Sequence, residues 1–158
     1  MKFSRRPWFE LISIPGIVIA SSSLGYGVAY LSIEEAQEAI FPGEVLTPWP
    51  LALSSEEQGA IQKKSGVEAG FSKPKIWRTS KGGCFMIDDV IGKHEFITYA
   101  VGINPDGSIR QIEIMNYREN YGDEIRDKRW RRQFIGKTAS STLKLNKDIK
   151  NISGATLS

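Results

Sequence analysis

The chain has 158 residues, 41% of them hydrophobic and 25% charged, which is ordinary globular usage and excludes a collagen-like, low-complexity or wholly disordered polypeptide. Its formal charge of +3 comes from 21 Lys and Arg against 18 Asp and Glu, but Lys2, Arg5 and Arg6 face only Glu10 before residue 32, and the rest is nearly neutral. A neutral body gives no electrostatic footprint for nucleic acid, and one cysteine (Cys84) with one histidine (His94) excludes an internal disulfide and a Cys/His zinc site.

Residues 11–31 read LISIPGIVIASSSLGYGVAYL, an uncharged stretch long enough to cross a bilayer as a helix. Three readings fit it: a retained signal anchor, a signal peptide cut after the small-x-small triplet Gly27-Val28-Ala29, and a buried helix of the domain. The anchor is preferred because the basic flank precedes the apolar run. That flank sets the amino terminus in the cytoplasm and the body outside it, in a single-pass cytoplasmic-membrane topology with a periplasmic or extracellular domain. The expected division is residues 1–31 as anchor or signal, 32–72 as a helical and Pro-rich lead-in, and 73–158 as the functional domain.

Ser32 before Ile33-Glu34-Glu35 predicts an N-capped helix ended by Pro42-Gly43, and residues 44–53, among Pro42, Pro48 and Pro50, read as an extended linker. Ser54-Ser55-Glu56-Glu57 predicts a second helix to about Ser65, closed by Gly66. Beyond Lys73 the period becomes two. Ile97, Tyr99, Val101 and Ile103 alternate with Phe96, Thr98, Ala100 and Gly102, the turn Asn104-Pro105-Asp106-Gly107 follows, and residues 109–114 return. Residues 75–79 and 83–91 are weaker strand candidates. The class is therefore α+β, an antiparallel sheet with flanking helices, preceded by one N-terminal transmembrane helix.

Residues 123–134, DEIRDKRWRRQF, place Ile125, Trp130 and Phe134 loosely at helical spacing. They read as a solvated helix or turn with its aromatic side on the sheet, or as a basic docking patch of Arg126, Lys128, Arg129, Arg131 and Arg132 for anionic lipid or an acidic partner. His94 reads as a surface or capped residue at a strand entrance, with a catalytic role as the alternative. The last residues carry most chemistry. Ser153-Gly154-Ala155-Thr156 offers two hydroxyls, a glycine for close backbone approach and a helix start able to hold phosphate, or simply a capped loop.

Residues 153–156 resemble the S/T-G-A-T/S motif of the FMN-binding domain found in flavin-carrying subunits of sodium-pumping NADH:quinone reductases and Rnf complexes, and the body is most similar to stand-alone membrane-attached members. The resemblance spans roughly residues 73–158. It also rests on Ile91-Gly92-Lys93-His94-Glu95, on the Asn104 to Gly107 turn, on Tyr117-Arg118-Glu119-Asn120-Tyr121-Gly122, and on Trp130 with Gln133-Phe134-Ile135-Gly136-Lys137. It implies FMN as cofactor, joined by a phosphoester to Thr156 by a separate flavin transferase, with Ser153, Gly154 and Ala155 around the linkage and Glu119, Asn120, Tyr121 and Gly122 approaching the ring. Family members carry Asp three residues before the motif, where this chain has Lys150, and continue into a helix after it, where this sequence ends at Ser158.

The implied role is electron relay within or to a membrane redox complex, with that complex's subunits, the transferase and the bilayer (through residues 11–31) as partners and no nucleic acid. Such a protein is an electron-transfer subunit rather than a self-contained enzyme, and no acid–base pair converges in the sequence to assign a catalytic residue. A flavin-free accessory subunit that keeps the fold is the alternative.

Overall fold

The structure, a computed structural model, describes residues 28–65, 74–119 and 122–152. In chain order the elements are β1 (Val28–Ala29), α1 (Ile33–Ile40), β2 (Leu46–Pro48), α2 (Ser55–Ser65), β3 (Lys75–Thr79), β4 (Cys84–Ile91), β5 (Phe96–Ile103), β6 (Ile109–Tyr117) and α3 (Lys128–Arg131), with 3-10 turns at Asp123–Arg126 and Arg132–Phe134. The strands form one antiparallel sheet in the order β1-β6-β5-β4-β3-β2, so β2 to β6 make a meander and β1 closes the outer side of β6. This is the α+β arrangement the period-two text predicts; the candidate transmembrane run before Val28 lies outside the described residues.

Local chemistry accounts for the elements. Ser32 Oγ accepts the Glu35 N–H at 3.1 Å while the Glu35 carboxylate accepts the Ser32 N–H at 2.7 Å, a reciprocal cap that starts α1. In the β5–β6 turn the Asp106 carboxylate accepts the N–H and O–H of Ser108, and Gly107 supplies a φ of +82°. β4 and β5 then pair without interruption from Cys84↔Ile103 to Ile91↔Phe96.

Alternation along this regular pair separates two cores. On one face Ala36, Ile40 and Phe41 pack against Phe85, Ile87, Ala100 and Met115. On the other, Ile97, Ile114, Tyr117 and Ile125 are buried with Tyr30, Tyr99, Trp130 and Ile152 against them. Gly102 lets α1 sit close: a Cβ there would collide with Ile40 Cγ2 and lie 3.0 Å from the Phe41 ring. Gly102→Ala is expected to cost about 1–3 kcal/mol by forcing α1 off the sheet, read as a lowered midpoint in thermal unfolding.

Two boundaries differ from the sequence reading. Residues 28–31, assigned to the anchor, belong to the sheet domain: β1 pairs Val28↔Tyr117 and Ala29↔Asn116, and Tyr30 and Leu31 pack into the two cores. Hydropathy does not distinguish apolar residues that face lipid from those that face a protein core. Within residues 44–53, read as linker, Leu46–Pro48 is the edge strand β2, paired Leu46↔Thr79 and Pro48↔Trp77; an edge tolerates proline because one side of the strand needs no ladder donor. Of the lead-in, α1 and β2 are therefore part of the same core and sheet, whereas α2 is largely exposed.

Candidate functional site

After β6 the chain passes Gly122, buried at φ +91°, into the Asp123–Arg126 turn. The Asp127 carboxylate caps α3 by accepting the Arg129 N–H at 2.8 Å. The following segment is stitched to the edge of β6, with Gly136 N–H donating to Ile109 C=O and Ile109 N–H to Lys137 C=O, both at 2.7 Å. This fixes Trp130, Gln133 and Phe134 over the second core, with the Trp130 and Phe134 rings edge to face at 5.2 Å.

These side chains hold the approach to the C-terminal motif. Trp130 Nε1–H donates to the Lys150 carbonyl and Lys150 N–H donates to Gln133 Oε1, each at 2.7 Å, and Ile152 packs on the core beneath. Both contacts use the Lys150 backbone, so they are open to any residue with an N–H at that position. Ser153, Gly154, Ala155 and Thr156 lie outside the described residues, as do Asn120 and Tyr121.

Asp148 organises the preceding loop. Its carboxylate accepts the N–H groups of Lys144 at 2.8 Å and Leu143 at 3.0 Å and pairs with Lys137 Nζ at 3.0 Å. The Lys144 N–H first, with help from Lys137 and Leu143, lowers its pKa to about 2. A depressed carboxylate stabilises the fold above its unfolded pKa, near 3.8, and loses that contribution as pH falls through about 2. The loop should therefore loosen between those values, seen as a joint NMR titration of the Leu143 and Lys144 amides that Asp148→Asn removes.

Glu119 joins two stretches that carry the resemblance. Its Oε1 accepts the N–H groups of His94 at 2.6 Å and Glu95 at 3.0 Å, and the His94 contact leads in holding its pKa below the usual range. Gly92 makes room, since a Cβ there would stand 2.6 Å from that oxygen. Glu119 thus turns its carboxylate to the β4–β5 turn, and His94 contributes its backbone while its side chain is exposed.

The basic run is mostly neutralised internally. Arg126 pairs with Asp123 at 3.4 Å and stacks over Tyr30, and Arg129 pairs with Asp127 at 3.0 Å. Arg131, which the sequence placed on an exposed patch, is buried and pairs with buried Glu113 at 2.9 Å. Among the described residues only Lys128 and Arg132 of the five cations lack a carboxylate partner. The Arg131–Glu113 pair was not legible, because β6 alternation marks Glu113 as polar without showing that Arg131 reaches over the sheet edge.

Beside the Lys150 clamp lies an apolar cleft of about 140 Å³, walled by Val90, Ile97, Tyr99, Ile114, Trp130 and Phe134, with Arg131 also lining it. Burial first, then Asp88 and Asp89, pushes the Tyr99 phenol up to about 12, so it stays a neutral O–H at physiological pH. Among the described residues no cluster of His, Cys, Asp and Glu could hold a metal.

The described residues thus form an antiparallel α+β domain whose closing segment, up to Ile152, is clamped through Lys150 by Trp130 and Gln133. Residues 92–158 match the family model of the FMN-binding domain, a match that supports FMN as the cofactor of this part of the chain. No curated protein and no solved structure matches the chain.

Proposed function

We propose that the protein is a membrane-anchored extracytoplasmic flavoprotein that carries FMN on Thr156 through a phosphoester and relays electrons within or to a membrane redox complex. The observation that carries this reading is the clamp of Trp130 and Gln133 on Lys150, three residues before Ser153 in sequence, by a tryptophan that also walls the apolar cleft. The cleft suits the group: Tyr99, Trp130 and Phe134 offer aromatic surface to a flat ring, and the motif hydroxyls suit its phosphate. FMN supplies reversible electron transfer when bound. The protein's own part is to fix the tether, exclude water with the second core and keep Tyr99 protonated. A flavin transferase makes the attachment, which leaves the ring chemically unmodified and prevents loss of the cofactor outside the cell.

Anchoring rests on the basic flank and the uncharged residues 11–27. At 1.5 Å per residue their 17 positions span about 25 Å as a helix, at the short end of what crosses a bilayer. Among the described residues no helix is long and apolar enough to cross a membrane. A cut after Ala29 would remove β1 entirely, which favours retention.

The expected result is a full chain that stays with membranes after a carbonate wash, activates a reporter that works only outside the cytoplasm when fused after Ser158, and keeps a flavin spectrum after denaturation. A cytoplasmic reporter signal or a washable chain contradicts the topology. Steady-state NADH dehydrogenase activity of the isolated chain contradicts the relay role.

A further inference from the structure

Three features meet at one end of the sheet. Pairing of Val28 with Tyr117, of Thr98 with Asn116 and of Ile91 with Phe96 puts the start of β1, the end of β6 and the β4–β5 turn side by side. The polypeptide therefore enters the fold at the end where that turn projects.

Ile91 and Phe96 are cross-strand partners on the face that α1 covers further along, at Ile87 and Ala100. Here none of the described residues covers them: Ile91 is 61% exposed and Phe96 48%. They stand on the opposite face from the cleft proposed for flavin, whose neighbouring residue Ile97 is 1% exposed, so cofactor binding does not explain them. Asp89, hydrogen-bonded to Thr98 at 2.5 Å, marks where this apolar tip ends.

We infer that the Ile91–Phe96 tip rests in the lipid interface beside the anchor, so that the domain leans on the bilayer with its β4–β5 end. The inference rests on the anchoring reading above. Lipid is the occupant because, on the anchoring reading, the uncharged residues 11–27 directly precede β1 in sequence and leave no residues for a linker. β5 is two strands from β1, which puts Phe96 about 10 Å sideways from the entry point, and an interfacial apolar residue sinks about 5–10 Å into the headgroup boundary. The charges agree. Lys93 and Arg118 balance Glu95 and Glu119, and Glu119 is already satisfied by the turn's N–H groups, so the tip is neutral and seats by apolar burial rather than by attraction to anionic lipid.

The test uses the full chain with Cys84→Ser, reconstituted in phosphatidylcholine vesicles, carrying an environment-sensitive NBD label at Phe96→Cys or, separately, at Ile91→Cys. A label at Asp106→Cys, in the β5–β6 turn at the other end, is the reference. The expected result is blue-shifted emission at 91 and 96, quenched several-fold more strongly by doxyl-labelled lipid than at 106, and unchanged when anionic lipid is added. Vesicle flotation with 91 and 96 as wet as 106 overturns the inference while anchoring stands. A blue shift that follows protein density and ignores doxyl lipid assigns the tip to a second copy and overturns it as well. Failure to float with the vesicles overturns both readings.

Discussion

Thr156→Val is expected to abolish the proposed flavin attachment, because valine keeps the approximate shape and removes the oxygen that the phosphoester needs. Co-expressed with a flavin transferase, the parent chain is expected to give a fluorescent band after denaturation and a mass gain of one FMN less one water. Thr156→Val gives neither, Thr156→Ser restores both, and Ser153→Ala weakens loading without ending it. A band that persists in Thr156→Val moves the attachment elsewhere. The clamp refines the expectation at the position where the family carries Asp. Because Trp130 and Gln133 hold only the Lys150 backbone, Lys150→Ala should load as the parent does, whereas Trp130→Phe removes a hydrogen bond worth about 1 kcal/mol and should slow loading. Absence of the band in the parent, with Lys150→Asp restoring it, would mean that the departure from the family pattern at Lys150 disabled loading, and the flavin-free accessory role would then be the better reading.

Glu113→Ala is expected to be the most destabilising single change in the described fold. It strips Arg131 of its carboxylate in a site where both side chains are under 10% exposed and where Arg131 Nε already lacks a hydrogen-bond partner. An uncompensated buried charge of this kind costs about 3–5 kcal/mol, enough to lower the unfolding midpoint by something of the order of 10 °C. Replacing both partners, as Glu113→Leu with Arg131→Met, should recover most of the loss, since apolar side chains of similar volume carry no desolvation penalty. A double variant no more stable than Glu113→Ala would show that the pair fixes α3 against β6 in a way packing cannot replace. Because Arg131 lines the apolar cleft proposed for flavin, flavin content of the double variant reports whether its charge also serves the cofactor.

What the sequence determined by itself is what short-range physics encodes. The capped start of α1 at Ser32, the span of α2, the Asn104 to Gly107 turn and the alternation through β5 each depend on residues within a few positions of one another, and each lies in the structure where the text put it. The sequence also supported the expectation of an FMN-binding domain, which the family match over residues 92–158 supports. Tertiary structure decided whatever depends on who faces whom. Val28 and Ala29 read as the end of an apolar run and became a strand because β6 offered an unpaired edge. Leu46–Pro48 read as linker and became a strand because β3 offered another. Glu119 meets the backbone of His94 and Glu95, a partnership spanning 25 residues that no local pattern contains. Arg131 read as surface and was buried, since a charge enters a core only when a distant opposite charge meets it there, and Glu113 does so only once β6 and α3 have packed.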